Sequence, residues 1–115
     1  MILPVGTIVA ARYTYGDEIQ LWKFYKILGY TNTRVRFQEI EHKTVYDDGK
    51  TGPHYYSDPR HCIPVQVDGE YKMIGPIRTK SYKILTSGTM CFHPEEFYAV
   101  YGAWNGEPLE EYNYH

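Results

Sequence analysis

Long apolar runs, a cysteine framework and a phosphate-cradling glycine loop are all missing from this 115-residue chain, and each absence closes off a class of protein. No run approaches the ~20 apolar residues that a membrane helix needs, so no membrane partner is expected. Met1-Ile2-Leu3 meets Pro4 and Gly6 with neither a basic region nor a long apolar stretch, which argues against a secretory signal. Cys62 and Cys91 stand alone, so reduced thiols and a cytoplasmic location are expected. No serine lies in a nucleophile elbow, and the acid pairs Asp47-Asp48, Glu95-Glu96 and Glu110-Glu111 fall in turns or the tail, where solvated charge is the ordinary explanation. The chain is therefore read as a non-enzyme, with no catalytic residue and no cofactor.

Basic residues are missing from the C-terminal part. Residues 1–92 hold all 12 Lys and Arg against 9 acids, a balance of +3, whereas residues 93–115 hold five Glu and no base. A weakly positive body lacks the basic stripe that duplex DNA demands, so no duplex DNA partner is expected, and only a local anion site fits. Metal-ligand spacing is poor as well. His61-Cys62 and Cys91-Phe92-His93 hold a zinc-type donor set, but neighbours on a strand point to opposite faces, and no metal is expected.

Tyrosine is what the chain has in abundance: 13, with 2 Trp, against 4 Phe, so most large rings carry a polar handle suited to half-wet positions. The organising stretch is Leu21–Glu41. Two runs rich in aromatic and β-branched residues, Leu21–Leu28 and Arg34–Ile40, flank Tyr30-Thr31-Asn32-Thr33 and read as a β-hairpin. Alternation places Trp22 and Phe24 on one face and Tyr25 and Ile27 on the other, so the first strand is expected to be covered on both sides. Val35 and Phe37 share a face, and Ile40 falls out of phase, which predicts a bulge near Gln38-Glu39.

Elsewhere the signals are short. Val5–Tyr13 reads as a strand, 41–60 as a turn and long loop, and Cys62–Val67 as an edge strand because of Pro64. Asp68-Gly69 is a tight turn, Gly75-Pro76 reads as a break, and Ile77–Leu85 follows as a strand with Arg78, Lys80 and Tyr82 on one face. His93–Phe97 reads as a helical turn before a strand, and Asn105-Gly106 as a type I′ turn returning Glu107–Tyr114 along Tyr98–Ala103. Together these predict one all-β domain over residues 1–115, a small antiparallel barrel or curled sheet. An SH3-like barrel is the first expectation and an OB-like barrel the second, with Ile8, Trp22, Phe24, Ile27, Val35 and Phe37 in the core.

The functional candidates are rings beside cations. Tyr55, Tyr56 and Trp104 are expected to stack on a base, and Arg60, Arg78 and Lys80 to meet phosphate, because ring-plus-cation pairs are what nucleotides require. Protein interfaces favour the same residue types, so a host protein partner stands beside the nucleotide reading.

Val5-Gly6-Thr7-Ile8-Val9, Trp22–Ile27, Thr33-Arg34-Val35-Arg36, Ile63-Pro64-Val65, Gly75-Pro76-Ile77-Arg78 and Tyr101–Leu109 also carry a likeness. With the W-[DN]-G-x-P motif at Trp104-Asn105-Gly106-Glu107-Pro108 and a Tyr-rich end, the chain resembles small β-rich proteins of bacteriophages and mobile elements. The pattern differs at Tyr15–Gln20. What the resemblance implies is a phage protein acting in the bacterial host cytoplasm against immunity. It would sequester a nucleotide second messenger, alone or as a homo-oligomer, or cover a host immune nuclease in the manner of an anti-CRISPR protein. A phage structural or accessory role is the third expectation.

Overall fold

The computed structural model describes residues 2–47 and 58–114, and among these it is all strand and turn, with no helix. The strands are β1 (Ile8–Tyr15), β2 (Ile19–Tyr30), β3 (Arg34–Ile40), β4 (His42–Tyr46), β5 (Arg60–Pro64), β6 (Gln66–Val67), β7 (Glu70–Tyr71), β8 (Met73–Ile84), β9 (Met90–Glu95), β10 (Tyr98–Tyr101) and β11 (Leu109–Asn113). Strands β1, β2, β3, β8, β9 and β10 pair antiparallel in a ring that closes because β1 bonds to both β2 and β10. A small antiparallel barrel is thus what the chain forms.

The hairpin β2–β3 is the wall that divides two cores. Its inward residues Tyr25, Ile27, Val35 and Phe37 join Val9, Ala11, Met90, Phe92 and Val100 inside the barrel. Its outward residue Phe24 joins Ile40 and Cys62 in a second cluster, against which Ile8, Ala10, Trp22, Trp104 and Leu109 pack. The alternation along β2 is therefore followed on both faces, and burial of both accounts for the lack of a wet side. Trp22 and Ile8 are only partly buried, while Tyr25, Val9 and Phe92 carry more of the core than the sequence suggested.

The second cluster is roofed by an extension of the sheet. Past β3, the same edge of β2 pairs with β11 at Ile19–Gln20, β11 pairs with β5, and β5 with β4. Several expectations are corrected here. First, β4 is a strand where the polar run after Glu41 reads as loop. Second, β5 lies between β11 and β4 rather than at an edge. Its Pro64 ends the strand opposite His42, in a pair that needs no N–H from it, because the flanking pair Val65–Glu41 takes the hydrogen bond (2.7 Å).

Third, Gly75-Pro76 lies inside β8 as a bulge. The register jumps from Phe37↔Arg78 to Glu39↔Ile74, Gly75 takes a positive φ of 70°, and the Gln38 amide donates to its carbonyl at 2.8 Å. The irregularity lies opposite Gln38-Glu39, but the extra residues are in β8 and not in β3, which keeps its register with β2 from Phe37 to Ile40 and places Ile40 on the outer face by plain alternation. Fourth, the tail pairs with β2 and β5, not with β10. Gly106 is left-handed but Asn105 is not, so the turn is not type I′; Asn105 instead accepts the Glu107 N–H through its side chain at 2.9 Å. In place of a helical turn, β9 runs through Pro94 and turns at Phe97, whose φ is 70°.

Candidate functional site

The barrel carries a partly buried ion network. Lys23 Nζ lies 2.7 Å from Glu95 Oε2, Arg78 lies 3.2 Å from Glu95 Oε1, and Glu39 is 4.0 Å from Arg78. The Arg78 guanidinium also rests over the rings of Tyr25 and Phe37, at 6.0 and 5.8 Å. Burial works against the charge of Glu95, but the hydrogen bonds from Lys23 and Arg78 outweigh it and hold its pKa below the ordinary value. Lys23 shows the converse: burial opposes its charge, yet Glu95 and Glu39 raise its pKa. Tyr25 is fully buried, its hydroxyl has no hydrogen-bond partner among the described residues, and its pKa is pushed up by burial and by the charges of Glu95 and Glu39.

Beside this network lies a groove of about 520 Å³, lined by Lys23, Trp22, His42, Tyr46, Arg60, Tyr98 and Glu111 among others. Its origin is topological. The edge of β2 pairs with β3 from Phe24 onward and with β11 only at Ile19 and Gln20, so Leu21–Lys23 is left between two partners. Side chains fill the gap. The Trp22 backbone N–H donates to Glu111 Oε2 at 3.2 Å, and the Trp22 indole and the Gln20 amide both donate to the Glu110 carbonyl, at 2.9 and 2.7 Å. Arg60 and Glu111 face each other across β5–β11 and are 8% and 6% exposed, so a cation and a carboxylate are buried together in the groove wall. Burial, followed by the charge of Glu111, pushes the neighbouring Cys62 thiol up, which leaves it inert.

The expected site residues occupy separate places. Arg60 lines the groove, Arg78 is committed to Glu95 and Glu39, and Lys80 is exposed on β8. Trp104 packs edge-on against Phe24 at 5.3 Å, donates its indole N–H to the Glu107 carbonyl at 2.8 Å, and borders a smaller hollow of about 180 Å³. Tyr55 and Tyr56 lie outside the described residues. Rings and cations that sequence reasoning missed, Trp22, Tyr98, Lys23 and His42, meet Arg60 in the groove. The only sequence signal for them was the two-sided aromatic pattern of β2.

A second hollow, of about 620 Å³, lies on the other face of β4–β5, lined by Val45, His61, Ile63, Glu107 and Pro108, with Asp47 held 2.6 Å from His61 Nδ1. Among the described residues no group of His, Cys, Asp and Glu can hold a metal ion. Among the described residues there is no helix long and apolar enough to cross a membrane. Comparison with protein-family models, with curated proteins and with solved structures finds no match.

Proposed function

We propose that the protein binds a nucleotide in the groove between β2 and β4–β5 and sequesters it without cleaving it. The observation that carries this reading is the gathering of Arg60, Lys23 and His42 with the rings of Trp22, Tyr46 and Tyr98 around one concavity of about 520 Å³. Pockets of that size enclose small ligands, and rings beside cations suit a base joined to phosphate. The acids argue for a nucleotide over a bare anion. Glu111 and Glu95 balance Arg60 and Lys23, so a ligand must offer donors as well as charge, and a nucleobase has them. With the phage resemblance, the ligand class is a nucleotide immune signal in the cytoplasm of a bacterial host. Calorimetry against a panel of cyclic di- and trinucleotides tests the reading, and nucleotide released intact from heat-treated protein separates sequestration from hydrolysis.

A second reading has its own observation. Phe97 is 72% exposed at the tip of the β9–β10 turn, holding a left-handed φ that bulky residues avoid, and Tyr101 is 61% exposed on β10. An exposed aromatic held at a strained turn suits an anchor for a host nuclease or effector. Loss of inhibition of a host effector on Phe97→Ser, with nucleotide binding absent throughout, would favour it.

A further inference from the structure

The outer face of the β2–β3 wall is used in two ways. Around Trp22, Phe24 and Ile40 it belongs to the second core, and from Lys26 toward the Thr31-Asn32-Thr33 turn it carries cations. Register sets their order. Lys26 pairs with Gln38, Arg36 and Arg34 follow at steps of two residues along β3, and Ser81, the partner of Arg34, stands two residues before Lys83 on β8. Tyr25, Ile27, Val35 and Phe37 point into the barrel, so Lys26, Arg34 and Arg36, which alternate with them, point out. Tyr82 is turned inward opposite Phe92, so Lys83 points out as well. Lys26, Arg36, Arg34 and Lys83 therefore form a diagonal stripe across three strands, advancing about 7 Å at each step.

Nothing beside the stripe neutralises it. Among the described residues none of these four cations is in an ion pair, and their outward register neighbours Ile8, Gly29, Gln38, Thr79, Ser81 and Cys91 carry no acid. The nearest carboxylates along the chain are engaged elsewhere, Glu39 with Arg78 and Glu41 with Lys72. Arg34, Arg36 and Lys83 are exposed, and nothing stands within 4 Å of where a side chain at Gly29, next to Arg36, would be. Arg34 is tied to β8 by a hydrogen bond to the Thr79 carbonyl at 3.3 Å.

We infer that this stripe docks on the phosphate backbone of a double-stranded nucleic acid. Even steps of positive charge suit a polymer of evenly spaced anions, since each step spans about two phosphates of one strand, which rise roughly 3.4 Å apiece. Thr79, Ser81 and the exposed Thr31-Asn32-Thr33 turn add the hydroxyl and amide groups that position proteins on phosphate and sugar. What the face lacks selects the duplex. None of the stripe's outward neighbours is aromatic, so unpaired bases gain no stacking there, whereas the bases of a duplex already stack on one another. The expectation of no duplex partner rested on the linear order, in which these four residues are scattered; the sheet brings them together. The groove lies apart, against Leu21, Trp22 and Lys23, and the inference does not depend on what it binds.

Fluorescence anisotropy of a labelled DNA duplex of about 20 base pairs, titrated with the protein at about 20–200 mM salt, tests the docking. Four neutralised phosphates predict that log K falls against log salt with a slope of about −3.6. Arg34→Gln, Arg36→Gln and Lys83→Gln each replace an exposed side chain, so melting should be unchanged. Each should shrink the slope by about 1 and weaken binding equally for duplexes of different sequence. Lys43→Gln, exposed on β4 away from the stripe, should leave the slope as it is. No binding of the duplex at about 20 mM salt would overturn the inference, because screening is weakest there. So would slopes that the three stripe variants leave unchanged, an equal loss on Lys43→Gln, or tighter binding of one separated strand than of the duplex.

Discussion

The two cores on either side of β2 are built from the same strand by different rules. Inside the barrel, Phe37 meets Tyr25 edge-on at 5.4 Å and Phe92 at 5.2 Å, and the lining comes from strands in a closed ring with no free edge. Outside, Phe24 meets Trp104 and His42, and the covering comes from a turn and from strands that reach β2 through only two register pairs, Tyr112↔Gln20 and Asn113↔Ile19. The inner core carries stability. The outer one leaves a gap, and the groove lies in that gap.

The largest expected effect is on the inner side. Phe37→Ala should cost about 3–5 kcal/mol in urea unfolding, enough to unfold a marginal domain, because the surrounding ring cannot collapse into the cavity. A soluble variant with unchanged melting would show that the barrel interior is not the stabilising core. Trp104→Ala should cost less, about 2 kcal/mol, since the ring is only partly buried. Its amide exchange should quicken in β5 and β11 and stay unchanged in β3 and β9. Equal quickening in both would mean the two layers open as one unit.

Next comes the ion network at the seam. A lowered Glu95 pKa adds stability that is present above the ordinary carboxylate value and is lost as pH falls through the lowered one. A raised Lys23 pKa adds stability present below the ordinary lysine value and lost as pH rises through the raised one. Melting temperature should therefore form a plateau between those limits, and Glu95→Gln should lower the plateau and flatten its acid side. The smallest effect belongs to Tyr25→Phe. Removing a buried hydroxyl with no partner should leave stability unchanged or raise it by up to about 1 kcal/mol, read as a small rise in Tm.

The same contrast sets what could be read from the sequence. Alternation along β2 and β3 is a local pattern with long apolar side chains, and it revealed both faces of the hairpin and four buried core positions, Phe24, Ile27, Val35 and Phe37. Partner choice is non-local. Asn105-Gly106 is a strong turn signal, but the tail's destination is decided by Leu109 and Trp104 covering the barrel's outer face, which no short window contains. β4 was missed because His42-Lys43-Thr44-Val45-Tyr46 has too few apolar residues to alternate. Arg78 read as a phosphate contact beside Lys80; pairing with Phe37 turns it toward the core rim, where Glu39 and Glu95 arrive from two other strands. Of the groove, Arg60 was legible as a cation next to a tyrosine-rich segment, whereas Lys23 and His42 were not, since their convergence depends on where β2 changes partners.

The most direct test of the proposed site compares two arginines by calorimetry against the cyclic di- and trinucleotide panel. Arg60 lines the groove and Arg78 is held in the ion network, so Arg60→Met should weaken the bound nucleotide about 10- to 100-fold, the scale of a lost charged hydrogen bond to phosphate. Arg78→Met, matched for folding by far-UV spectrum, should change affinity by less than about 3-fold, under 1 kcal/mol. Absence of any nucleotide binding by the unaltered protein, or loss on Arg78→Met with Arg60→Met unaffected, would contradict the assignment of the groove.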